Sequence, residues 1–220
     1  ALVRDYLNGV GSIKHLYEHP FTLDAFDEAI RKKSQSKVNR PLLVEVLKEQ
    51  YDGLTTSELV SFNIDSLLSD NTFTVTAAHQ PCLFLGPLYN IYKIACTINL
   101  AHQLSEKYPH QHFVPVFWMG TEDHDVEELS HVYIGGKKIE WQHTSTGASG
   151  KWEVKSMLAA IEDLKSIQNI DASLVKLIEI GIHQAQTFGA FAQYLLNELF
   201  KDYGLVVLNQ DSPKLKRAFA

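Results

Sequence analysis

Cysteine, clustered positive charge and long apolar runs are all scarce in this sequence of 220 residues. Its two cysteines, Cys82 and Cys96, make no disulfide framework and suit a reducing cytoplasm. The formal net charge of −6 argues against nucleic acid as the main partner, because phosphates are bound by clustered Lys and Arg. No apolar run approaches the roughly 18 residues of a transmembrane helix, and the N-terminus lacks the apolar core of a secretory signal. We therefore expect a cytoplasmic protein with neither a membrane nor a nucleic acid as partner.

Three common signatures of nucleotide and ester chemistry are also missing. The sequence contains no G-x-x-x-x-G-K-[ST] and no G-x-G-x-x-G phosphate-binding motif. It contains no G-x-S-x-G nucleophile elbow, so a serine hydrolase has no support. The segment Gly147-Ala-Ser-Gly-Lys151 has the wrong spacing for a phosphate loop, and we expect a flexible connection there.

Residues 73–119 have the pattern of a strand, a helix and a second strand. Apolar residues of the middle segment recur at spacings of three and four, which predicts one helical face: Leu88, Ile91, Ala95 and Ile98. Pro87 suits the first helical position, since its missing N–H costs nothing there. Parallel strands joined by a helix end at the same edge of their sheet, which is where open α/β folds bind ligands. The sequence therefore predicts an α/β fold with a ligand site at that edge, although Pro115 is unusual inside a strand.

The rest of the chain predicts a division into four parts. Residues 1–70 have the pattern of a helical lead-in, and residues 71–130 that of the first half of the core. Gly135-Gly136 separates two short runs of strand character, which predicts a β-hairpin, and helical periodicity follows it. We therefore assign residues 131–203 to a hairpin-plus-helix insertion and residues 204–220 to a return into the core.

The ends of the sequence suggest a larger protein. The sequence opens with Ala1 rather than Met and stops shortly after a predicted strand, Leu205–Asn209. Domains seldom stop directly after a core strand, so we expect a fragment of a longer enzyme.

Polar side chains follow the first strand of this unit. His79 and Gln80 come directly after it, and Gly86-Pro87 precedes the predicted helix. Helix N-termini favour anions such as phosphate or carboxylate, and a histidine can donate to charge developing on a leaving phosphate. Alternatively, His79 hydrogen-bonds a loop carbonyl and Gly86-Pro87 simply starts the helix.

Two residues of the predicted helix could add to this site. Lys93 lies six residues after Pro87, within reach of a bound anion, although an exposed helix face is an equally common place for a lysine. Tyr89 fits either a packing position or the rim of a site. Cys82 has apolar neighbours and no adjacent acid or base, which favours a structural thiol over a nucleophile.

Four consecutive polar residues follow the second strand: Glu122, Asp123, His124 and Asp125. Such a density of carboxylate and imidazole can bind a cation, polarise an amine or hold a sugar hydroxyl. Asp125 with Glu128 also matches a helix capping box, which is a purely structural alternative. Nearby histidines lack a diagnostic zinc spacing, so we assign no metal site.

The sequences of both loops resemble one known family. The run T-A-A-H-Q-P-C-L-F-L-G-P-L-Y-N-I-Y-K from Thr76 to Lys93 and the block P-V-F-W-x-x-x-E-D-H-D from Pro115 to Asp125 are similar to the bacillithiol biosynthesis cysteine-adding enzymes. The second block is the more specific one, because it is long and unusual. The resemblance covers the whole chain, which would still be less than half of a family member.

This resemblance implies a Rossmann-like, nucleotidyltransferase-type parallel sheet with a connecting-peptide insertion. It implies a ligase that joins L-cysteine to the amino group of glucosaminyl-malate, with the cysteine carboxylate activated by ATP or another nucleotide. A second half of the core, and a C-terminal coiled coil that makes the full-length protein a homodimer, would lie outside this sequence.

Roles for individual residues follow from the resemblance. The expected catalytic residues are His79, Asp123 and His124. The expected substrate-binding residues are Gln80, Gly86, Pro87, Tyr89, Lys93, Glu122 and Asp125. The chain lacks the full His-x-Gly-His signature of class I synthetases, so we expect His79 to contact substrate or phosphate.

Two other functions fit the same residues. One is a nucleotidyltransferase-fold enzyme acting on another amino acid or amino sugar. The other is a non-catalytic module that binds a small molecule.

Overall fold

The structure, a computed structural model, describes residues 2–219, and of Phe219 the backbone alone. Contacts divide the chain into two compact units, residues 1–39 and residues 40–220. The first unit holds two short helices, α1 (Leu2–Leu7) and α2 (Phe26–Ser34), and two 3-10 turns, Gly11–Leu16 and Leu23–Ala25.

The second unit contains the sheet and the remaining helices. In chain order its elements are α3 (Arg40–Gln50), α4 (Glu58–Ser66), β1 (Thr72–His79), α5 (Leu88–Lys107), β2 (His112–Met119), α6 (Val126–Leu129), β3 (His131–Ile134), β4 (Lys137–Glu140), α7 (Leu158–Lys165), α8 (Ala172–Gln184), α9 (Phe188–Phe200), β5 (Val206–Asn209) and α10 (Pro213–Phe219). No helix within residues 2–219 is both long enough and apolar enough to span a bilayer.

A parallel sheet of three strands, in the order β1-β2-β5, confirms the predicted α/β fold. All of β1 pairs with all of β2, from Thr72 opposite His112 to His79 opposite Met119. Strand β5 joins the other side of β2 only from Val116 onward. Pro115 therefore lies just before this second pairing begins, which explains how a proline is tolerated in the central strand.

Helix α5 connects β1 to β2 and packs against both. It begins at Leu88 and ends at Lys107, so Pro87 is its extended N-cap residue and not the first helical residue that we expected. The predicted apolar face is confirmed only in part: Ile91 and Ile98 pack against the core, whereas Leu88 is 67% exposed and Ala95 is exposed too. The buried residues of the helix are Asn90, Ile94, Thr97, Ala101 and Leu104. Two of them, Asn90 and Thr97, are polar, so a prediction based on apolar spacing alone found only part of the buried face.

Two apolar clusters cover the two faces of the sheet. On one face, α3 and α4 supply Leu47 and Val60, which lie in one cluster with Val116 of β2. The other cluster joins Phe117 of β2 to the hairpin and to α7, α8 and α9. Strands β2 and β5 thus alternate their side chains between two buried layers, as expected for a sheet inside an α/β domain, whereas Thr74, Thr76 and Ala78 of β1 are exposed.

The segment between β2 and β5 contains the predicted hairpin and helices. Strands β3 and β4 pair in antiparallel fashion. Gly135 and Gly136 connect them with φ angles of 58° and 79°, values that favour glycine.

Candidate functional site

The loops that follow β1 and β2 meet at the carboxyl ends of the two strands. The backbone N–H of Gly120 donates to the carbonyl oxygen of His79 at 2.9 Å. A Cβ atom at Gly120 would lie 3.5 Å from the backbone of Gln80. The prediction that both loops open at one edge of the sheet is therefore confirmed.

His79, the last residue of β1, is buried with 7% of its surface exposed. Its Nδ1 lies 2.9 Å from the carbonyl oxygen of Gln80, and its Nε2 lies 2.5 Å from the hydroxyl of Tyr89. The ring is thus held at both nitrogens, and one of its partners is a loop carbonyl, as the structural alternative supposed.

Tyr89 and Lys93 lie near the start of α5, beside the end of β1. Tyr89 is about half exposed, and its ring centre lies 5.2 Å from that of His79. The Lys93 ammonium lies 5.1 Å from the centre of the Tyr89 ring and 3.4 Å from the carbonyl oxygen of Ala78. Partial desolvation raises the pKa of Tyr89, and electrostatic interactions with Cys82 and Glu128 raise it further. An imidazole, a phenol and an ammonium group therefore share one edge.

Gly86 allows this loop to approach the hairpin. A Cβ atom at Gly86 would lie 2.4 Å from Cγ2 of Val132, a distance that real side chains do not adopt. The peptide bond to Pro87 is cis. Close packing thus explains the glycine, and the substrate contacts of Gly86 and Pro87 stay predictions.

Asn90 is a residue that the sequence analysis missed. Its side chain is buried, with 2% exposed, and its Oδ1 has no hydrogen-bond partner within the described part of the chain. Such an acceptor is costly to leave unbonded. Its only sequence signal is a polar residue on the apolar side of a helix.

Among the four polar residues after β2, Asp123 and Asp125 accept hydrogen bonds from nearby backbone N–H groups. The Asp123 carboxylate accepts hydrogen bonds from the N–H groups of His124, at 2.7 Å, and Asp125, at 3.2 Å. Asp125 in turn accepts from the N–H of Glu128 at 3.2 Å and caps α6, as the capping pattern predicted. The His124 side chain is exposed.

Glu122 belongs to a chain of ion pairs that the sequence did not reveal. Its carboxylate pairs with Lys216, whose ammonium also lies 2.5 Å from Asp211. Asp211 pairs on its other side with Lys151 at 3.3 Å. The hydrogen bond from Lys216 is the main cause that lowers the pKa of Asp211, and Lys151 lowers it further. These cations come from distant segments, so nothing in the local sequence indicates them.

Cys82 shows that the two loops also interact electrostatically. Burial raises the pKa of its thiol to about 12, and the carboxylates of Glu128 and Asp123 contribute to the rise. The thiol therefore stays protonated at neutral pH, in agreement with the structural role expected for Cys82.

The segment from Gly147 to Lys151 is not the flexible connection that we expected. The N–H of Ser149 donates to the carbonyl of Asp123 at 2.7 Å, and that of Gly150 to the carbonyl of Thr121 at 2.9 Å. A Cβ atom at Gly150 would lie 2.6 Å from Cβ of Thr121. The segment is a fixed turn that holds the loop after β2, and these N–H groups are not free to bind a phosphate.

No three His, Cys, Asp or Glu side chains among residues 2–219 are grouped so that they could hold a metal ion.

Comparison with known proteins identifies the family. Residues 1–220 match the family model described as bacillithiol biosynthesis BshC, N-terminal Rossmann-like domain. The chain belongs to the BshC family. The resemblance seen in the two loops is thus confirmed, and so is the Rossmann-like class of the fold.

Relatives of the BshC family match nearly the whole chain. A protein of Flavobacterium johnsoniae named "Putative cysteine ligase BshC" is 40% identical over 99% of this chain and 42% of its own length. Proteins of the same name from Cytophaga hutchinsonii and Desulforamulus reducens are 38% and 32% identical, over 98% and 96% of this chain. These alignments cover 40% and 41% of the two relatives. The chain therefore spans about two fifths of the length of the BshC relatives it matches.

Proposed function

We propose that this chain forms one part of a ligase that joins L-cysteine to the amino group of glucosaminyl-malate and so completes bacillithiol. The hydrogen bond between Gly120 and the His79 carbonyl carries the proposal, because it brings the two family-specific loops to one site. Membership of a family whose relatives carry a ligase name supports it.

The chemistry of this edge suits an amine and a carboxylate as substrates. Carboxylates such as Glu122 and Asp123 can bind the ammonium group of cysteine or of the amino sugar. We assign catalytic roles to His79, Asp123 and His124. We assign substrate binding to Gln80, Gly86, Pro87, Tyr89, Lys93, Glu122 and Asp125.

Amide formation also requires an activated carboxylate, which ATP or another nucleotide would supply by adenylation. Two groups at the end of β1 suit its anionic phosphates: the N-terminus of α5, which has no side-chain cap, and the Lys93 ammonium. They would bind and orient the phosphates beside His79.

We also propose a domain organisation for the full-length protein. Residues 1–70 would form a helical lead-in and residues 71–130 the first half of a nucleotidyltransferase-type core. Residues 131–203 would form a connecting-peptide insertion before the chain returns to the core at residues 204–220. We further propose that the full-length protein is a cytoplasmic homodimer held by a C-terminal coiled coil.

Deletion of the gene in the source organism tests the assignment. The expected result is loss of bacillithiol with accumulation of glucosaminyl-malate, measured by mass spectrometry of derivatised thiols and amines. Normal bacillithiol would refute the ligase. Accumulation of a different amino acid or amino sugar would favour the related enzyme, and unchanged metabolites would favour a binding module.

Complementation of the deletion with full-length variants tests the site. His79→Ala and Asp123→Ala should restore little bacillithiol, although the proteins remain folded. His110→Ala and Asp52→Ala are matched controls, because both residues are exposed and lie outside the proposed site. Full restoration by His79→Ala or Asp123→Ala would remove that residue from the site.

A further inference from the structure

The hydrogen bonds of His79 determine which ring nitrogen carries the proton. A carbonyl oxygen can only accept, so the 2.9 Å contact with Gln80 requires a proton on Nδ1. In the neutral ring Nε2 then carries a lone pair and accepts from the Tyr89 hydroxyl, 2.5 Å away. His79 thus offers an acceptor, not a donor, on the side that faces α5.

We propose that His79 acts as the general base of the site through Nε2, and that the Tyr89 hydroxyl occupies the position that the ammonium group of the substrate takes during the reaction. A neutral ring of this tautomer cannot donate from Nε2 to a leaving phosphate. This role rests on the ligase function proposed above, and it assigns to His79 the deprotonation of the attacking amine.

The exposures of His79 and Tyr89 are consistent with replacement of the Tyr89 hydroxyl by the substrate ammonium group. His79 is 7% exposed, whereas Tyr89 is 47% exposed and lies in the first turn of α5. Rotation of the tyrosine toward solvent would uncover Nε2 and leave β1 and the Gln80 bond in place. The substrate ammonium group can therefore replace the Tyr89 hydroxyl at Nε2 while His79 stays in place.

The proton transfer balances without any further reactant. One N–H bond of the substrate ammonium breaks and an Nε2–H bond forms, and the electron pair stays on the amine nitrogen. That pair attacks the activated carboxyl carbon, forming the C–N bond and releasing the activating group. The second amine proton leaves to water as the amide forms, and Nε2 then returns its own proton to water.

Nitrogen NMR of the full-length protein tests the tautomer directly. Histidine-labelled protein at pH 8 should show His79, assigned by its loss in His79→Gln, with the proton on Nδ1. Tyr89→Phe should keep this tautomer and move the Nε2 resonance toward the value of a free lone pair. A proton on Nε2 would overturn the proposal even if the ligase function holds.

Complementation separates the roles of the two residues. General bases contribute on the order of 10²–10⁴ in rate, so His79→Gln should reduce bacillithiol by at least about a hundredfold. Tyr89→Phe should reduce it clearly less than His79→Gln, because the Tyr89 hydroxyl takes no part in proton transfer. Tyr92→Phe, at an exposed tyrosine of the same helix outside the proposed site, is the control and should leave bacillithiol unchanged. A loss in Tyr89→Phe as large as in His79→Gln would overturn the proposal. Bacillithiol made without this protein, together with an Nδ1 proton, would refute the ligase function and leave the tautomer established.

Discussion

The phenolic oxygen of Tyr51 accepts a hydrogen bond from the backbone N–H of Val207 at 2.8 Å, at the edge of β5 that faces away from β2. Gln50 continues this arrangement, because its amide group bonds both the N–H and the carbonyl of Asn209, at 2.9 and 2.8 Å. Two side chains at the end of α3 thus take the place of a neighbouring strand.

Replacement of Tyr51 by Phe should destabilise the protein by about 1–3 kcal/mol, because it leaves the buried N–H of Val207 without an acceptor. Urea denaturation followed by circular dichroism measures the change. Tyr92→Phe is the matched control, since Tyr92 is 64% exposed, and it should change the stability by less than about 0.5 kcal/mol. Equal stability of Tyr51→Phe and the parent would show that the hydrogen bond contributes nothing.

Replacement of Gly86 by Ala should cost about 1–3 kcal/mol, because the new Cβ would lie 2.4 Å from Cγ2 of Val132. Val132→Ala removes that methyl group, so the double variant should recover part of the loss. A double-mutant cycle by urea denaturation measures the coupling. Gly11→Ala, in open space, is the control and should be nearly neutral. Independent, additive effects of the two changes would contradict the contact.

Stability should fall as the pH rises above 9, because folding raises the pKa of the Cys82 thiol from 9.0 to about 12. As the pH rises, the Cys82 thiol of the unfolded chain loses its proton before that of the folded protein. The contribution of the protonated thiol to stability is therefore complete below pH 9 and is lost as the pH approaches about 12, the pKa in the folded protein. At pH 10 the loss from this group is about 1.4 kcal/mol.

Urea denaturation between pH 8 and pH 10 checks the effect of Cys82. Cys82→Ala should flatten the pH dependence, whatever its own stability, and Cys96→Ala should leave it unchanged because Cys96 is exposed. An identical slope in Cys82→Ala and the parent would show that another group causes the decline. Burial also raises the pKa of Tyr51 to about 12, which adds a decline above pH 10 in all three proteins.

The two thiols should differ sharply in reactivity. Cys96 is exposed and Cys82 is buried with a raised pKa, so iodoacetamide at pH 8 should modify Cys96 alone until the protein unfolds. Peptide mass spectrometry locates the label, and the same reaction in 8 M urea should modify both. Rapid labelling of Cys82 in the folded protein would mean that its loop opens.

The sequence predicted those parts of the fold whose signals are local. Alternation, helical spacing and the Gly135-Gly136 turn each depend on neighbouring residues, and the unit from β1 to β2 and the hairpin were found in this way. The pattern of residues 1–70 predicted a helical segment but could not show that Leu47 packs on the sheet, because a helical pattern does not identify its partner.

The site was predicted less completely, for the same physical reason. The proximity of His79 and the loop after β2 follows from strand order, which the sequence indicated. The fixed turn at Ser149 and Gly150 depends on carbonyl groups more than 25 residues away in the chain, at Thr121 and Asp123. The ion pair of Glu122 with Lys216 likewise joins distant segments. Such contacts leave no local pattern.

The side chains that close the edge of β5 have a practical consequence for handling the protein. A free strand edge invites association with other strands, and Tyr51 and Gln50 block this route at β5. Within the described residues, β1 pairs with a strand on one side only, and Thr74 and Thr76 at its centre are exposed. Aggregation of the isolated chain should therefore proceed along β1, and a charged side chain in place of Thr76 is the change to make when this chain is to be kept in concentrated solution.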